Sequence, residues 1–451
     1  MIQNDKLPQR YAEGIIHPRV TQPLGLFFDL PHPRGPAPTS GVPRPAPTSG
    51  VPCQPNITSA LRKCSVWLVD VIPPKQYAFV KNNCGGGINM RKYYLDNIKW
   101  ITVVIVVLYH VIYMYNAEGI QGVCGKITDL EVQYFDVFQY IVYPWFMMLL
   151  FMVSGVTSRL YLDNHTHREF ISSRTTKLLV PSTIGLFAFQ FLQGYVNVSF
   201  GDAVLKDPGI PLIAKVLICI ASGIGVLWYI QLLWLFSMLL VLVRRIDKDR
   251  LWNACGKAGL PVLVVLAIPT YGAAQILNTP IICVYRFGLY FFVFLLGYFV
   301  LSHEEVIEVL KKWFPLLAVT SGVLGAAFCA RYFGEVYADN PVYRSVLFVT
   351  YGYFACLAIF GGMAKYCAFS NRFTRWMSKR SFGLYVFHYL GISSVALFVA
   401  RRGILPAPAV YLLSLIAGFA GAYLLNGIIS RIPGYRWAVL GIKEEKKNVQ
   451  G

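Results

Sequence analysis

Ten apolar runs, each long enough to cross a lipid bilayer, follow one another along most of this 451-residue chain. A bilayer core about 30 Å thick requires roughly 20 apolar residues in a helix. Because lipid offers no partner to backbone N–H and C=O groups, each run must form a helix that satisfies its own hydrogen bonds. The sequence therefore predicts an all-α fold, a polytopic membrane helix bundle of about ten transmembrane helices. The predicted spans are 97–115, 136–156, 178–199, 226–243, 258–276, 282–301, 315–332, 343–363, 382–400 and 409–428.

The composition agrees with a membrane protein and argues against other classes. Hydrophobic residues make up 56% of the chain and charged residues only 14%. The formal net charge of +19 lies mostly in short loops between apolar runs, which is typical of cytosolic loops and not of a nucleic-acid-binding surface. The ten cysteines show no CxxC or zinc-finger spacing, so we expect neither a disulfide framework nor a metal site.

The charge of the loops predicts the topology. Ten spans with both termini in the cytosol agree with every loop except the one that carries Arg401 and Arg402. The segment 209–224 is apolar enough for an eleventh span, but crossing there would move the next basic loop outside. We therefore interpret it as an interfacial or re-entrant helix on the outer face. The loops predicted to be cytosolic are 157–177, 244–257 and 364–381.

The first ninety residues differ from the rest. The segment PAPTSGVPR at 36–44 is followed directly by PAPTSGVPC at 45–53, a tandem repeat that cannot pack a core. We expect residues 1–89 to be a disordered tail or translated upstream sequence, with Met90 as the true start. The membrane domain is predicted at 90–432, and 433–451 is expected to be a basic cytosolic tail.

The first apolar run, YYLDNIKWITVVIVVLYHVIYMYN, carries a histidine in its middle. His110 follows Lys99 by eleven residues, which is three helical turns at about 100° per residue, so the two share a face roughly 16 Å apart. A charged group at this depth costs on the order of 2.5–3.5 kcal/mol or more. His110 is therefore either a neutral structural residue or a general base in a tunnel whose cytosolic mouth binds an anion.

The same helical face continues in both directions from this pair. Asp96 lies near its cytosolic end, Val103 and Val107 lie between the two cations, and Tyr113 lies beyond the histidine. Polar groups, then valines, then a histidine are typical of a channel wall. The alternative for Asp96 and Lys99 is that they extend from a helix end to water.

Basic residues also cluster where the third predicted span begins. Arg168, Arg174 and Lys177 precede Pro181 in REFISSRTTKLLVP. Three cations at a helix entry can bind phosphate groups, with arginine giving bidentate contacts. The alternative is that cytosolic loops are generally basic.

A second histidine and three arginines lie deep in or at the ends of later spans. His388 occurs in MSKRSFGLYVFHYLGI. It either forms a structural hydrogen bond to a neighbouring helix, which we favour, or takes part in the functional site. Arg286, Arg331 and Arg344 lie near the outer ends of their helices, where they either face an acceptor vestibule or contact headgroups. No GxxxxGK[ST], GxGxxG, HExxH or GxSxG motif supports nucleotide hydrolysis, Rossmann redox chemistry, zinc proteolysis or serine hydrolysis.

Taken together, these segments resemble the acyltransferase 3 family of integral membrane acyltransferases. The opening RKYYLDNIKW with LYH is similar to the family's Arg-x(3)-Leu-Asp-x(2)-Arg motif and its helix-borne histidine, and YYLDNIKW is closest to the branch that includes glucan-succinylating enzymes. The resemblance runs in order from about 91 to 428. Its other segments are LLFMVSGV at 149–156, KLLVP at 177–181, VLWYIQLLWLFS at 226–237, FVFLLGYFV at 292–300 and SKRSFGLYVFH at 378–388.

The resemblance implies roles for individual residues. His110 matches the family's essential first-helix histidine, and Arg174 and Lys177 fall on its Arg-x-x-Arg motif, which is associated with the acyl donor. Three positions depart from the pattern, because lysine replaces arginine at Lys99 and Lys177, and Val226 occurs where many relatives have histidine. Lysine keeps the charge but loses the bidentate fork.

The function that we expect is O-acyl transfer from cytosolic acyl-coenzyme A, as co-substrate, to a hydroxyl group of a carbohydrate or glycan at or across the cell membrane of a bacterium or archaeon. No permanently bound cofactor is expected, and the partners are the donor, the acceptor and membrane lipids. Direct transfer and an acyl-histidine intermediate both remain open. The main alternative is a transporter of carbohydrate or organic anion. We expect His110 as the catalytic base, Lys99, Arg168, Arg174 and Lys177 as donor ligands, and acceptor contacts from Asp96, Tyr113, Trp228, Arg286, Arg331 and His388.

Overall fold

The computed structural model describes residues 91–119, 123–279 and 285–442. The predicted tail 1–89, the start at Met90 and the last basic residues lie outside this part of the chain. The described residues form helices and loops without a β-strand. The main helices, in chain order, are α1 (Tyr93–Met114), α2 (Tyr134–Leu162), α3 (His167–Ser199), α4 (Leu212–Ser222), α5 (Gly225–Asp247), α6 (Leu260–Ala274), α7 (Phe287–Phe299), α8 (Glu304–Tyr332), α9 (Val346–Tyr366), α10 (Arg372–Ala400), α11 (Ala407–Ile429) and α12 (Tyr435–Leu440).

Short turns interrupt or join these helices. A 3₁₀ turn opens both α2 and α5, and wider π-helical turns occur within α3, α10 and α11. One-turn helices occur at Asp202–Leu205 and Arg250–Cys255, with a further 3₁₀ turn at Val342–Arg344. The π-helical turns are Thr175–Leu179, Leu186–Gln190, Ala396–Ala400 and Ala417–Gly421.

Among the described residues, eight helices have the length and apolar composition to cross a membrane, namely α1, α2, α3, α5, α8, α9, α10 and α11. The all-helical membrane architecture expected from the sequence is thus observed. The predicted spans 258–276 and 282–301 are occupied by the shorter helices α6 and α7. The number of ten crossings and the side on which the termini lie stay predictions.

The apolar segment 209–224 forms α4, which has 11 residues and therefore rises only about 16 Å. Its backbone lies against α3, because an added Cβ on Gly194 would overlap the Cys219 carbonyl and one on Gly223 would overlap Gln190. Leu212 and Ile213 are each 76% exposed at its start. A helix this short is consistent with the interfacial or re-entrant interpretation.

The central helix of the bundle is α2, which contacts α1, α7, α8 and α9. It meets α7 at two glycines: an added Cβ on Gly155 would overlap the Phe294 carbonyl, and one on Gly297 would overlap the Met152 carbonyl. Between apolar helices in lipid, small residues of this kind permit the close backbone approach that gives van der Waals packing. The α2–α7 contact holds the middle of the bundle together.

The last described residues are packed rather than loose. Helix α12 buries Ala438, Val439 and Leu440, and its backbone lies against Gly185 of α3. Gly441 follows with a left-handed φ of 64° and lies against the Thr176 carbonyl, where a side chain would have no room. The beginning of the expected tail 433–451 is therefore part of the folded structure beside the π-helical turn of α3.

Replacing Gly297 with alanine is expected to destabilise the protein by about 1–3 kcal/mol, because the new methyl group overlaps the α2 backbone. The matched control is Gly322→Ala in α8, where an added Cβ meets no atom within 4 Å. Thermal unfolding in detergent should show a lower Tm for the first variant and an unchanged or higher Tm for the second. Equal Tm values for the two variants would contradict the packing argument.

Candidate functional site

Two histidines from different helices meet inside the bundle. His110 of α1 and His388 of α10 are 278 residues apart, yet His388 Nε2 lies 3.1 Å from His110 Nδ1. His110 Nδ1 also lies 2.8 Å from the Val106 carbonyl oxygen. His388 is fully buried, whereas His110 is partly buried. The structure therefore brings together His110, the candidate base, and His388, for which a hydrogen bond to a neighbouring helix was expected.

Aromatic rings surround the remaining sides of His110. The ring centroids of Tyr109 and Tyr389 are each 5.1 Å from its own, and that of Tyr113 is 5.8 Å away. Tyr109 stacks in turn on Tyr143 at 5.8 Å. The environment of His110 is thus largely aromatic.

A large cavity opens at the other end of α1, the end that carries the basic loops, which we call the basic end. Its volume is about 1070 Å³. Six parts of the chain meet there: the start of α1, the end of α2, the start of α3, the first half of α10, the end of α11, and the end of α12 with the two residues after it. All four cations expected to bind the donor line it. Its polar and charged lining residues include Asp96, Lys99, Arg168, Glu169, Ser172, Ser173, Arg174, Thr176, Lys177, Ser378, Lys379 and Asn426.

The sequence of α3 explains how its cations reach this cavity. Thr166 caps the helix and exchanges hydrogen bonds with Glu169 in a capping box, which fixes the first turn. Arg174 donates to Ser158 Oγ of α2 at 3.0 Å and lies over the Phe170 ring at 5.0 Å. The π-helical turn Thr175–Leu179 follows at once, as such turns often do at functional sites.

The path between the cavity and His110 differs from the predicted channel wall. Val103 is 7% exposed and Val107 is fully buried, so both pack against neighbouring helices instead of lining open space. The prediction that these valines line a channel is wrong for this conformation. The cavity reaches closer on α10, where Gly383 precedes His388 by five residues, or about 7.5 Å of helix rise.

A second cavity of about 500 Å³ adjoins the first. The two share Lys379, Asn426 and Ile442 in their linings. Arg380 and Arg431 contribute further positive charge to the second cavity. The basic end therefore offers an extended, cation-lined groove instead of a single small pocket.

The residues expected to contact an acceptor are only partly brought together. Tyr113 and His388 lie beside His110, but Asp96 lies in the basic-end cavity, where its carboxylate accepts from Arg91 at 2.7 Å. Arg331 lies at the exposed end of α8 and pairs with Glu335 at 2.7 Å. Because that arginine points to the surface, the structure does not place it in the site.

Arg286 and Trp228 contact other tyrosines of the bundle. Arg286 is 2% exposed and donates to Tyr143 Oη at 2.8 Å and to the Ala338 carbonyl at 3.2 Å. The Trp228 ring lies 5.6 Å from that of Tyr290. Arg286 is enclosed by protein groups, and its hydrogen bond helps to hold Tyr143 in place beside Tyr109.

Several residues at these sites were not identified from the sequence. Tyr389 follows His388 directly, but nothing in a single apolar helix distinguishes a tyrosine facing the site from one facing a neighbour. Lys379 was counted only as a basic loop residue, and Asn426 lies on a helix whose role depends on its distant partners. Within the described ranges, no group of three or more His, Cys, Asp or Glu side chains is arranged to hold a metal ion.

At the opposite end of α1, Glu118 lies in a partly buried position near Asp136. The Tyr140 hydroxyl is 3.3 Å from Glu118 Oε1, and Oε2 is buried without a hydrogen-bond partner among the described residues. Burial, with a smaller effect of the Asp136 charge, raises the pKa of the Glu118 carboxyl from 4.5 to about 7. This carboxyl is therefore a titratable group near neutral pH at the non-basic end.

Comparison with known proteins gives one match. The sequence model of a family described as an acyltransferase domain, acyltransferase 3, matches residues 92–427. No curated protein and no solved structure matches the chain. The match begins beside the start of α1 and ends within α11, so it includes both histidines and all four cations expected to bind the donor.

The raised pKa of Glu118 predicts a pH-dependent stability. The folded state holds the Glu118 proton more tightly than the unfolded chain does, so this stabilisation is complete below pH 4.5 and is lost as the pH rises through about 7. Relative to the wild type, Glu118→Gln should gain about a few degrees of Tm between pH 4.5 and pH 8 in detergent. The exposed carboxylate Glu131 provides the control, as Glu131→Gln. A Tm difference for Glu118→Gln that does not change with pH would contradict the assignment.

Proposed function

The chain belongs to the acyltransferase 3 family of membrane acyltransferases, and from this premise we propose that it transfers an acyl group from cytosolic acyl-coenzyme A to a hydroxyl group of a carbohydrate or glycan at or across the membrane. Family membership supports the transfer of an acyl group by a multi-pass membrane protein. The identities of the donor and the acceptor, and the roles of the residues that act on them, are proposed.

The observation that carries the proposal is the arrangement along α1. One helix contributes Lys99 to a large cation-lined cavity and His110 to a histidine pair about three turns away. A donor whose anionic end is remote from its reactive end needs one site that binds anions and a separate site for the reaction. Acyl-coenzyme A has this form, because its phosphates and its thioester lie at opposite ends of a flexible pantetheine arm.

At the basic end, the phosphates are proposed to contact Arg168, Arg174, Lys177 and Lys99. Arginine binds phosphate oxygens with two parallel hydrogen bonds, whereas lysine acts as a compact charge. The adjoining cavity with Arg380 and Arg431 extends the same groove and gives room for the nucleotide part of the donor. In this structure Val103 and Val107 are packed, so we propose that the pantetheine arm enters along Phe382 and Gly383 of α10.

The chemistry proposed for His110 is general base catalysis. Its Nε2 takes the proton of the acceptor hydroxyl as the oxygen attacks the thioester carbonyl carbon. The carbon–sulfur bond then breaks, and the imidazolium returns the proton to the leaving thiolate. The products are the O-acylated acceptor and free coenzyme A. An acyl-histidine intermediate would leave the same products.

The acceptor is proposed to approach from the side of the tyrosines. The aromatic rings of Tyr109, Tyr113 and Tyr389 lie around His110, which suits a carbohydrate with apolar faces. The similarity of YYLDNIKW to glucan-succinylating enzymes favours a glycan acceptor. It leaves acetyl, succinyl and longer acyl groups as candidates.

The proposed location is the cytoplasmic membrane of a bacterium or archaeon, with about ten crossings and both termini in the cytosol. The basic loops support this orientation, because cytosolic loops are enriched in lysine and arginine. It places the cation-lined cavity on the cytosolic side, where acyl-coenzyme A is available. His110 then lies between the donor compartment and the opposite face.

Replacing His110 with alanine is expected to abolish transfer while the protein still inserts in the membrane, since removing a general base lowers the rate by about 10²–10⁴-fold. Thiol release from acyl-coenzyme A by purified protein in the presence of a glycan acceptor measures this. Full activity in the variant would reject the assignment of His110. Acceptor movement across vesicles without thiol release in the wild type would favour a transporter instead.

Replacing Arg174 with alanine is expected to raise the KM for acyl-coenzyme A about 10- to 150-fold with little change in kcat, because a charge-assisted hydrogen bond contributes about 1.5–3 kcal/mol. With acyl-pantetheine, which lacks the nucleotide and its phosphates, the variant and wild type should have the same KM. The control is Arg245→Ala, an exposed cation outside the lining of both cavities. Equal losses with both donors would remove the phosphate assignment.

A further inference from the structure

We propose that His388 is a positioning residue that holds His110 in the tautomer and orientation with Nε2 free to act as the base. The inference rests on the proposed function and adds a residue to it. Its basis is the hydrogen bonding around the two rings, in which each of the two Nδ1 atoms faces an oxygen that can only accept. His388 was expected to touch the acceptor; the geometry points to an action through His110.

The side of the His388 ring away from His110 contacts two backbone carbonyl oxygens. Its Nδ1 lies 2.9 Å from the Tyr385 carbonyl oxygen and 3.1 Å from that of Leu384. A carbonyl oxygen accepts and does not donate, so Nδ1 of His388 must carry a hydrogen. A neutral imidazole carries only one such hydrogen, which leaves a lone pair on Nε2 of His388.

That lone pair determines the state of His110. Nε2 of His388 lies 3.1 Å from His110 Nδ1, and the Val106 carbonyl oxygen lies 2.8 Å from the same atom. Both neighbours are acceptors, so the hydrogen of neutral His110 is on Nδ1 and its Nε2 is unprotonated. The two acceptors come from different helices, and together they fix the plane of the ring as well as its tautomer.

The Val106 carbonyl also favours the hydrogen on Nδ1, but it does not connect the His110 ring to another helix. It is four residues before His110 on the same helix, so it is also the expected acceptor of the His110 backbone N–H. It therefore moves with α1 and does not fix the ring relative to the other helices. His388 belongs to α10, and its own ring is held by two carbonyl oxygens and full burial. It supplies the fixed acceptor.

A histidine suits this depth better than the carboxylate that orients histidine in serine hydrolases. A carboxylate in the apolar interior would carry a permanent charge, which costs about 2.5–3.5 kcal/mol or more. His388 is uncharged before and after each turnover. When Nε2 of His110 takes the hydroxyl proton, the positive charge is shared through the Nδ1–H bond to His388, and it disappears when the proton passes to the thiolate.

Kinetics of two His388 variants test the proposal. His388→Leu removes the acceptor and should lower kcat about 10²-fold, with the KM for acyl-coenzyme A within about twofold of wild type. His388→Gln places an amide oxygen near the former Nε2 and should recover activity to within about tenfold of wild type. His303→Gln is the control, because His303 also bonds a carbonyl oxygen, that of Trp252, but lies away from the site. Its kcat should be unchanged.

Nitrogen-15 NMR of histidine-labelled protein gives a readout that loss of packing alone would not change in the same way. His110 in the wild type should show a protonated Nδ1 and an unprotonated Nε2, and His388→Leu should shift part of the population to the opposite tautomer. The His110→Ala spectrum assigns the signals. If His388→Leu fails to fold, His388→Gln tests the role of the acceptor, and a loss of kcat above about 10²-fold in that variant would overturn the proposal, as would a protonated Nε2 on neutral His110 in the wild type.

The outcomes separate this inference from the function on which it rests. Wild-type kcat in His388→Leu, or a loss of kcat with an unchanged His110 tautomer, overturns the positioning role while acyl transfer stands. A wild type that releases no thiol from acyl-coenzyme A overturns the proposed function. In that case the NMR measurement still tests whether the two rings are bonded as described.

Discussion

The absence of hydrogen-bond partners in lipid is the constraint on which this structure depends. Polar groups inside the bundle depend on partners within the protein, and several helices meet at such pairs. The pairing of His110 with His388 is one such meeting, and it joins α1 to α10. Tyr109 with Tyr337, at 3.0 Å, is another, and it joins α1 to the segment between α8 and α9. The candidate site is therefore part of the hydrogen bonding that holds the bundle together.

The same constraint separates the charged part of the site from the uncharged part. Lys99, Arg174 and Lys379 lie around a cavity at the basic end, where water and anions can compensate their charge. Around His110 the neighbours are tyrosine rings and a second histidine. Such a division suits a reaction in which a charged donor is held at the membrane surface and its uncharged thioester reacts at depth. The two valines between Lys99 and His110 on α1 are packed against neighbouring helices, so the cavity comes nearer to the histidine pair along α10.

Much of the architecture and part of the site could be predicted from the sequence. Apolar length predicted the helices, and eight of the ten predicted spans coincide with described helices long enough to cross a membrane. Helical periodicity placed Lys99 and His110 on one face, and the structure has them on one continuous helix, α1. The cluster Arg168, Arg174 and Lys177 was recognised by its charge, and it does line the cavity at the basic end. These properties are local, since each depends on residues within a few turns of one another.

What the sequence alone determined is a chain of membrane helices with cations near one end of the first and third and a histidine deep in the first. Apolar length, charge and helical period are carried by neighbouring residues, so they can be read without knowing the fold. Only the tertiary structure decided that His388 faces His110, that Lys379 and Asn426 complete the cavity, and that Arg331 lies outside it. The physical reason is that an apolar helix in lipid has no polar face to reveal its rotation, so its partners depend on packing against helices far away in the chain.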